Sequence, residues 1–248
     1  MRAHTPLRFA TWNVHGCVGA EAVERVGDVL VRLDPDVIGL QEMRELALPR
    51  LAERTGLTAL AGVTRPEGDG QFGNALLTRH EVESIIRHDV SVASREKRGV
   101  LDVKLRRKGD GEAMRVLVTH FGLLATERRQ QADLLLELVQ SPGAPLLAVL
   151  GDFNEWRPFA RTLHRLDAHL GAAVGVRSYP AAFPVLKLDR IWVWPRVALT
   201  SVRAWNAPGA WRASDHLPVT AIVDPTRVPP SPPSPPSPPP TPPPPSRR

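Results

Sequence analysis

Thirteen of the chain's 26 prolines fall between Pro229 and Pro245, and that one run limits what the chain can fold into. Proline has no backbone N–H and a fixed φ, so the run can neither continue a helix nor fill a sheet ladder. Polyproline II is the conformation left to it. The chain is therefore expected to divide into a folded domain over residues 1–224 and a proline-rich, disordered tail over residues 225–248. About 225 residues is long enough to bury a sizeable core as one domain. Two roles stay open for the tail: a semi-rigid solvated spacer, or a docking segment for a partner module.

Composition narrows the class. Hydrophobic residues make up 42% and charged residues 23%, which excludes a wholly disordered chain. The single cysteine, Cys17, excludes an internal disulfide and a zinc site built on cysteines. No stretch approaches the ~18 apolar residues that span a bilayer. The first residues lack the apolar segment of a secretory signal, so a cytoplasmic monomer is the expectation. The net charge of +6 falls to near +4 once Arg227, Arg247 and Arg248 are set against Asp224. Such a charge is compatible with a polyanionic partner without demanding one.

Periodicity marks the elements. Glu21–Leu33 places Ala22, Val23, Val26, Val29, Leu30 and Leu33 on one helical face. Thr126–Val139 reads as a second helix with Thr126 as its N-cap, and Pro158 opens a third that reaches Leu170. Strands are predicted at Leu7–Val14, Val37–Leu40, Asn74–Thr78, Gly99–Lys104, Met114–Thr119, Leu146–Leu150, Ile191–Trp194, Leu199–Trp205 and Leu217–Val223. Strand-rich stretches between helices indicate layered α/β rather than strict βαβ alternation.

Polar clusters recur at the ends of these apolar strands. Asn13 follows Thr11-Trp12, Gln41-Glu42 follows Val37–Leu40, and His120 follows Thr119. Asp152 and Asn154 follow Leu146–Leu150, Asp189 precedes Ile191, and Asp215-His216 precedes Leu217. One such residue caps a strand as readily as it lines a pocket. Six clusters of Asn, Asp, Glu and His are hard to explain by capping, and on neighbouring strands they converge. Carboxylates and amides are hard oxygen ligands for Mg²⁺ or Mn²⁺, and histidines move protons near neutral pH. Gly-x-Ser-x-Gly, Walker A and His-Glu-x-x-His patterns are all absent from the sequence.

In order along the chain, Thr11-Trp12-Asn13, Gln41-Glu42, Thr119-His120, Gly151-Asp152-Phe153-Asn154, Asp189-Arg190-Ile191 and Ser214-Asp215-His216-Leu217-Pro218 resemble the motifs of the endonuclease/exonuclease/phosphatase superfamily. That group includes deoxyribonuclease I, apurinic endonucleases, inositol-polyphosphate 5-phosphatases and neutral sphingomyelinases. The resemblance spans residues 7–223. It implies an α/β fold, a four-layered α/β/β/α sandwich with two packed, mainly antiparallel sheets and the site at one edge. It also implies a Mg²⁺-dependent (or Mn²⁺-dependent) phosphoesterase that hydrolyses a phosphodiester, nuclease-like, by metal-assisted in-line attack of an activated water. The partner is then a phosphate ester, nucleic acid among the choices. A phospholipid or inositol-phosphate substrate stays open, as does a non-catalytic phosphate-binding relative with a docking tail.

Carried over by motif, Asn13, Glu42 and Asp215 resemble the metal side, with Glu42 the principal ligand. Asp152 and Asn154 resemble the pair that orients the attacking water and holds phosphate oxygens. His216 resembles the catalytic histidine and Asp189 the carboxylate that sets its tautomer. His120 resembles the histidine that donates to the phosphate or leaving group, although the glutamate that supports it in the deoxyribonuclease-like branch has no equivalent here. Asn74 and Arg98 look like substrate-facing positions. His15 is a candidate for contact with the site. His4, His80, His88, His164 and His169 read as surface or boundary residues. Trp156 and Trp211 lie beside motifs, suited to stacking on a substrate or to packing at the rim.

Overall fold

A computed structural model describes residues 5–67, 70–141, 143–157 and 160–229. The chain opens with strand β1 (Leu7–Asn13), helix α1 (Ala20–Leu33), strand β2 (Val37–Arg44) and helix α2 (Leu48–Thr55). Strands β3 (Thr58–Glu67), β4 (Gly70–Thr78), β5 (Glu81–Asp89), β6 (Gly99–Arg106) and β7 (Ala113–His120) follow. Helix α3 (Ala125–Gln140), strand β8 (Leu146–Asp152), helix α4 (Arg161–Leu170) and strand β9 (Asp189–Trp194) come next. Strand β10 (Leu199–Ala204), the short helix α5 (Ala210–Ala213) and strand β11 (Val219–Val223) complete the order.

The strands form two sheets, one of six in the order β10-β11-β1-β2-β4-β3 and one of five in the order β5-β6-β7-β8-β9. Within each, one pair is parallel, β1 with β2 and β7 with β8, and the other pairings are antiparallel. Both parallel pairs are joined through a helix, as a parallel connection requires. The inner faces meet in a core that includes Phe9, Val37, Leu76, Val103, Val116, Leu150, Ile191 and Val219. The outer face of the first sheet packs on α1 and α2 through Trp12, Val26, Leu30, Leu40 and Leu51. That of the second packs on α3 and α4 through Leu135, Val149, Phe153, Leu166 and Trp192. Four layers result, with apolar side chains leaving both faces of each sheet, so the central strands read as continuous apolar runs.

Several boundaries differ from the sequence reading. Thr126 does not cap α3: the helix starts at Ala125, and Leu124 holds the cap position without a side-chain bond. Helix α4 begins at Arg161, and Pro158 lies outside the described residues. Leu217 and Pro218 precede β11 rather than forming part of it. Helix α2 and strands β3 and β5 went unread. Strand β5 sits at a sheet edge with a half-exposed face, which leaves little periodic apolar signal. The fold also continues past Asp224. Pro225–Arg227 forms a 3-10 turn with Pro225 buried and the Asp224 carboxylate accepting from Thr226 N–H, and Val228 packs on the inter-sheet core. The tail read from residue 225 therefore loses its first residues to the domain, and 230–248 lie outside the described residues. No helix among the described residues is long and apolar enough to cross a membrane.

Candidate active site

The polar clusters do converge, and strand register is the reason. His120 on β7 pairs with Asp152 on β8, which pairs with Asp189 on β9, so three titratable residues stand side by side at the end of one sheet. Asn13 ends β1, the neighbouring central strand of the other sheet. Three of the motifs close on themselves in the same way, with a side chain accepting a backbone N–H two residues on. Asn13 Oδ1 accepts from His15 at 3.0 Å, Asp152 Oδ1 from Asn154 at 2.9 Å, and Ser214 Oγ from His216 at 3.1 Å. Gly151 is required by packing: a Cβ there would lie 2.4 Å from the carbonyl oxygen of Thr119.

Glu42 enters the site through a bulge. The pairing of β2 with β4 slips between Leu40 and Met43, and Glu42 adopts a left-handed backbone with φ 54°. Bulges re-aim side chains in this way. Asn154 is also left-handed, with φ 50°. Such conformations cost a non-glycine residue free energy and cluster where geometry is functional.

The Asn13 amide joins the two sheets at this edge. Asn13 Nδ2 donates to Glu42 Oε1 at 3.0 Å and to Asp152 Oδ2 at 3.1 Å. Two carboxylates thus close on one side chain, Asp152 buried and Glu42 half-buried. Burial, with Asp189 nearby, pushes the Asp152 carboxyl up to about 6. This corner offers hard oxygen donors, the set that Mg²⁺ or Mn²⁺ takes. Asp152, Asp189 and His216 also bring ligand atoms within 4.8 Å of one another.

Across from that corner stands a histidine–carboxylate dyad. Asp189 Oδ2 lies 2.8 Å from His216 Nδ1 and accepts a second bond from Ser178 Oγ at 2.5 Å. His216 Nε2 faces Asp152 Oδ2 at 3.8 Å. Burial opposes charge on His216, but the adjacent Asp189 outweighs it and lifts the imidazole to about 9. Trp12 Nε1 donates to the His216 carbonyl at 2.8 Å, and the Tyr179 ring lies 4.8 Å from the imidazole, centre to centre.

His120 is held quite differently. Its Nδ1 lies 2.9 Å from Arg98 Nη1. A guanidinium only donates, so Nδ1 is an acceptor and the ring is neutral with its proton on Nε2. Burial and the Arg98 charge both push its pKa well below 6.5. Nε2 lies 3.1 Å from Asn154 Nδ2 and 3.6 Å from Asp152 Oδ2. Arg98 stands where a carboxylate partner would be, and Glu96 pairs with Arg98 at 2.7 Å rather than with the histidine.

The remaining expected residues take outer places. Asp215 faces His15, Oδ1 to Nδ1 at 3.5 Å, and among the described residues no hydrogen bond joins its side chain to Asn13 or Glu42. Asn74 is a neighbour of Arg98 and His120 but spends its amide on the Gly99 carbonyl at 2.8 Å, which ties β4 to β6. Of the histidines read as surface or boundary residues, His164 and His169 are exposed. His80 is not. It is buried, accepts from Lys108 N–H, and burial lowers it to about 4. His88 is half-buried beside Asp102, and His4 lies outside the described residues. Trp156 and Trp211 are both about half exposed at the rim. Ser178, Glu96 and Tyr179 escaped the sequence reading, since none belongs to a repeated polar cluster. Beside Asp215 and His15 a cleft of about 640 Å³ opens outward past Val18, Ala181 and Trp211.

A family model described as "Endonuclease/Exonuclease/phosphatase family" matches residues 10–216. Among curated proteins, the chain is 38% identical over 162 residues to the uncharacterized protein YbhP of Escherichia coli (strain K12), covering 62% of this chain and 63% of that protein. Among solved structures, an endonuclease/exonuclease/phosphatase from Bacteroides vulgatus superimposes with a TM-score of 0.73 at 20% identity, covering 89% and 99% of the two chains. The Bacteroides thetaiotaomicron mannosyl-6-phosphatase Bt3783 gives 0.69 at 16%, covering 88% and 99%. D. rerio TDP2 complexed with single strand DNA product gives 0.69 at 15%, covering 88% and 98%. At these identities the structural likenesses show the fold.

Proposed function

We propose that this chain, which belongs to the endonuclease/exonuclease/phosphatase family, is a Mg²⁺- or Mn²⁺-dependent hydrolase that cleaves a phosphodiester by in-line attack of water. The observation that carries this reading is the Asn13 amide clasped by Glu42 and Asp152, with the Asp189–His216 dyad facing the same Asp152 oxygen.

Glu42 would hold the cation, with Asp215 behind it, while Asn13 fixes the Glu42 carboxylate through its amide. Bound there, the cation would neutralise phosphate charge and stabilise the departing oxygen. Asp152, lifted to about 6 by burial and Asp189, is suited to take the proton of the attacking water near neutral pH. Asn154, fixed by its bond to the Phe121 carbonyl, helps to position that water. His216 is an imidazolium at neutral pH, so it donates from Nε2 to a non-bridging oxygen, while Asp189 keeps Nδ1 occupied. His120 adds a second, neutral donor through Nε2–H. Positioning and electrostatics then supply most of the barrier reduction.

The test is hydrolysis of bis(p-nitrophenyl) phosphate by chelator-treated protein, with and without added Mg²⁺ or Mn²⁺. Activity should appear only with the cation, and Glu42→Gln should lose most of it while keeping the fold. Full activity in chelator, or activity confined to the monoester, sinks the reading.

A further inference from the structure

The edge that carries the site is unusually apolar. The four most exposed large apolar side chains among the described residues are Phe183 (76%), Leu123 (66%), Leu46 (65%) and Val18 (63%). Each stands on a loop that enters or leaves a site strand: Val18 after Asn13, Leu46 after Glu42, Leu123 after His120, and Phe183 before Asp189. Trp156 and Trp211, half exposed, flank the same opening after Asn154 and before Asp215. The exposed charges on these loops are Arg157, Arg177, Lys187 and Arg212, against one carboxylate, Glu45. Two of the arginines lie over the rim tryptophans.

We propose that this edge seats the protein on an anionic phospholipid bilayer, with the site turned toward the headgroup phosphodiesters. Large exposed apolar surface marks an interaction site. The chemistry of the tips selects the partner. Three of the four most exposed are aliphatic, and aliphatic tips do not stack on bases, whereas single-stranded nucleic acid is held by aromatic platforms along a basic groove. Aliphatic tips enter the acyl boundary, tryptophans favour the headgroup level, and arginines meet anionic lipid. The tips are also held ready. The buried pair Arg128–Glu155, 3.1 Å apart, fastens the Trp156 loop to α3, and the Arg128 guanidinium also donates to the Leu123 carbonyl. The cleft beside Asp215 runs between the site and Val18 and Trp211, so an apolar group attached to the phosphate has a path outward.

The lipid as substrate rests on the hydrolase reading above; the docking itself does not. The full chain should sediment with phosphatidylcholine vesicles containing half phosphatidylglycerol, weakly with pure phosphatidylcholine, and less in high salt. The triple variant Leu46→Ser, Leu123→Ser, Phe183→Ser should bind the anionic vesicles roughly a hundredfold more weakly, with an unchanged melting temperature. Its hydrolysis of bis(p-nitrophenyl) phosphate should match that of the unsubstituted chain. In the unsubstituted chain, brominated acyl chains should quench tryptophan fluorescence, and Trp156→Phe with Trp211→Phe should remove that quenching. Absence of binding to the anionic vesicles overturns the proposal. So does equal vesicle binding by the triple variant, or a variant that loses an oligonucleotide instead. Vesicle binding without diester hydrolysis would remove the hydrolase reading alone, and hydrolysis without vesicle binding the docking alone.

Discussion

Replacing Asp189 by asparagine keeps the shape of the side chain and removes its charge, and the effect can be worked out as a function of pH. Burial by itself would hold His216 below 6.5, and Asp189 beside it lifts the imidazole to about 9 instead. In the unfolded chain the imidazole returns to about 6.5. Between pH 6.5 and 9 the native state therefore holds one proton that the unfolded state lacks. Over that window stability falls by about 1.4 kcal/mol per pH unit from this group. Its contribution, about 3 kcal/mol, is complete below pH 6.5 and lost as the pH rises through 9. Asp152, raised to about 6, titrates below the window and does not blur it. Asp189→Asn should flatten this slope. Urea denaturation in chelator at steps from pH 6 to 10 measures it. The gap between the two proteins should be widest near pH 6.5 and narrow toward pH 9. Parallel profiles would refute the reasoning, because the imidazole would then owe its charge to something other than Asp189.

His120→Ala should slow an alkyl and a nitrophenyl phosphodiester alike, by roughly a hundredfold, because the ring that Arg98 keeps neutral serves as a hydrogen-bond donor. A loss confined to the alkyl ester would restore it as a general acid. Deleting 230–248 should leave the melting temperature unchanged, whereas deleting 225–248 should lower it by roughly 5 °C, since Pro225 and Val228 pack on the domain. Equal melting temperatures in the two truncations would place the true boundary at Asp224.

The central strands were legible because both faces are buried, and their apolar runs stop where the polar clusters start. Unlike Ser178, Glu96 and Tyr179, the candidate-site residues Asn13, Glu42, His120, Asp152, Asp189 and His216 were legible for the same reason, as each lies at or beside such a stop. Their partners were not. Nothing in the order of residues says that Arg98 would meet His120 Nδ1, or that Asn74 would turn to the Gly99 carbonyl, because these contacts cross between strands far apart in sequence. The backbone of Glu42 was equally hidden: the bulge that aims it is a mismatch between two strands and belongs to neither alone. Helix α2, with Pro49 in its first turn and only Leu48 and Leu51 buried, is too short for its period to stand out. Strand β5 is written in half-polar residues because much of it stays exposed.

The Asn13 clasp makes the site a gauge of the spacing between the two sheets. Its amide comes from one sheet, one of its two carboxylates from the other, and neither half of the fold contains the pair. A hydrogen bond of 3.1 Å tolerates only a few tenths of an ångström of extra separation before it weakens. Behind it the sheets press so closely that a methyl group on Gly39 would come within 2.8 Å of Val118. A substitution deep in that seam touches no ligand and no substrate, yet it moves Glu42 and Asn13 relative to Asp152 and the dyad. Activity should therefore fail before folding does as the seam is wedged open, and turnover becomes a more sensitive measure of core packing than the melting temperature.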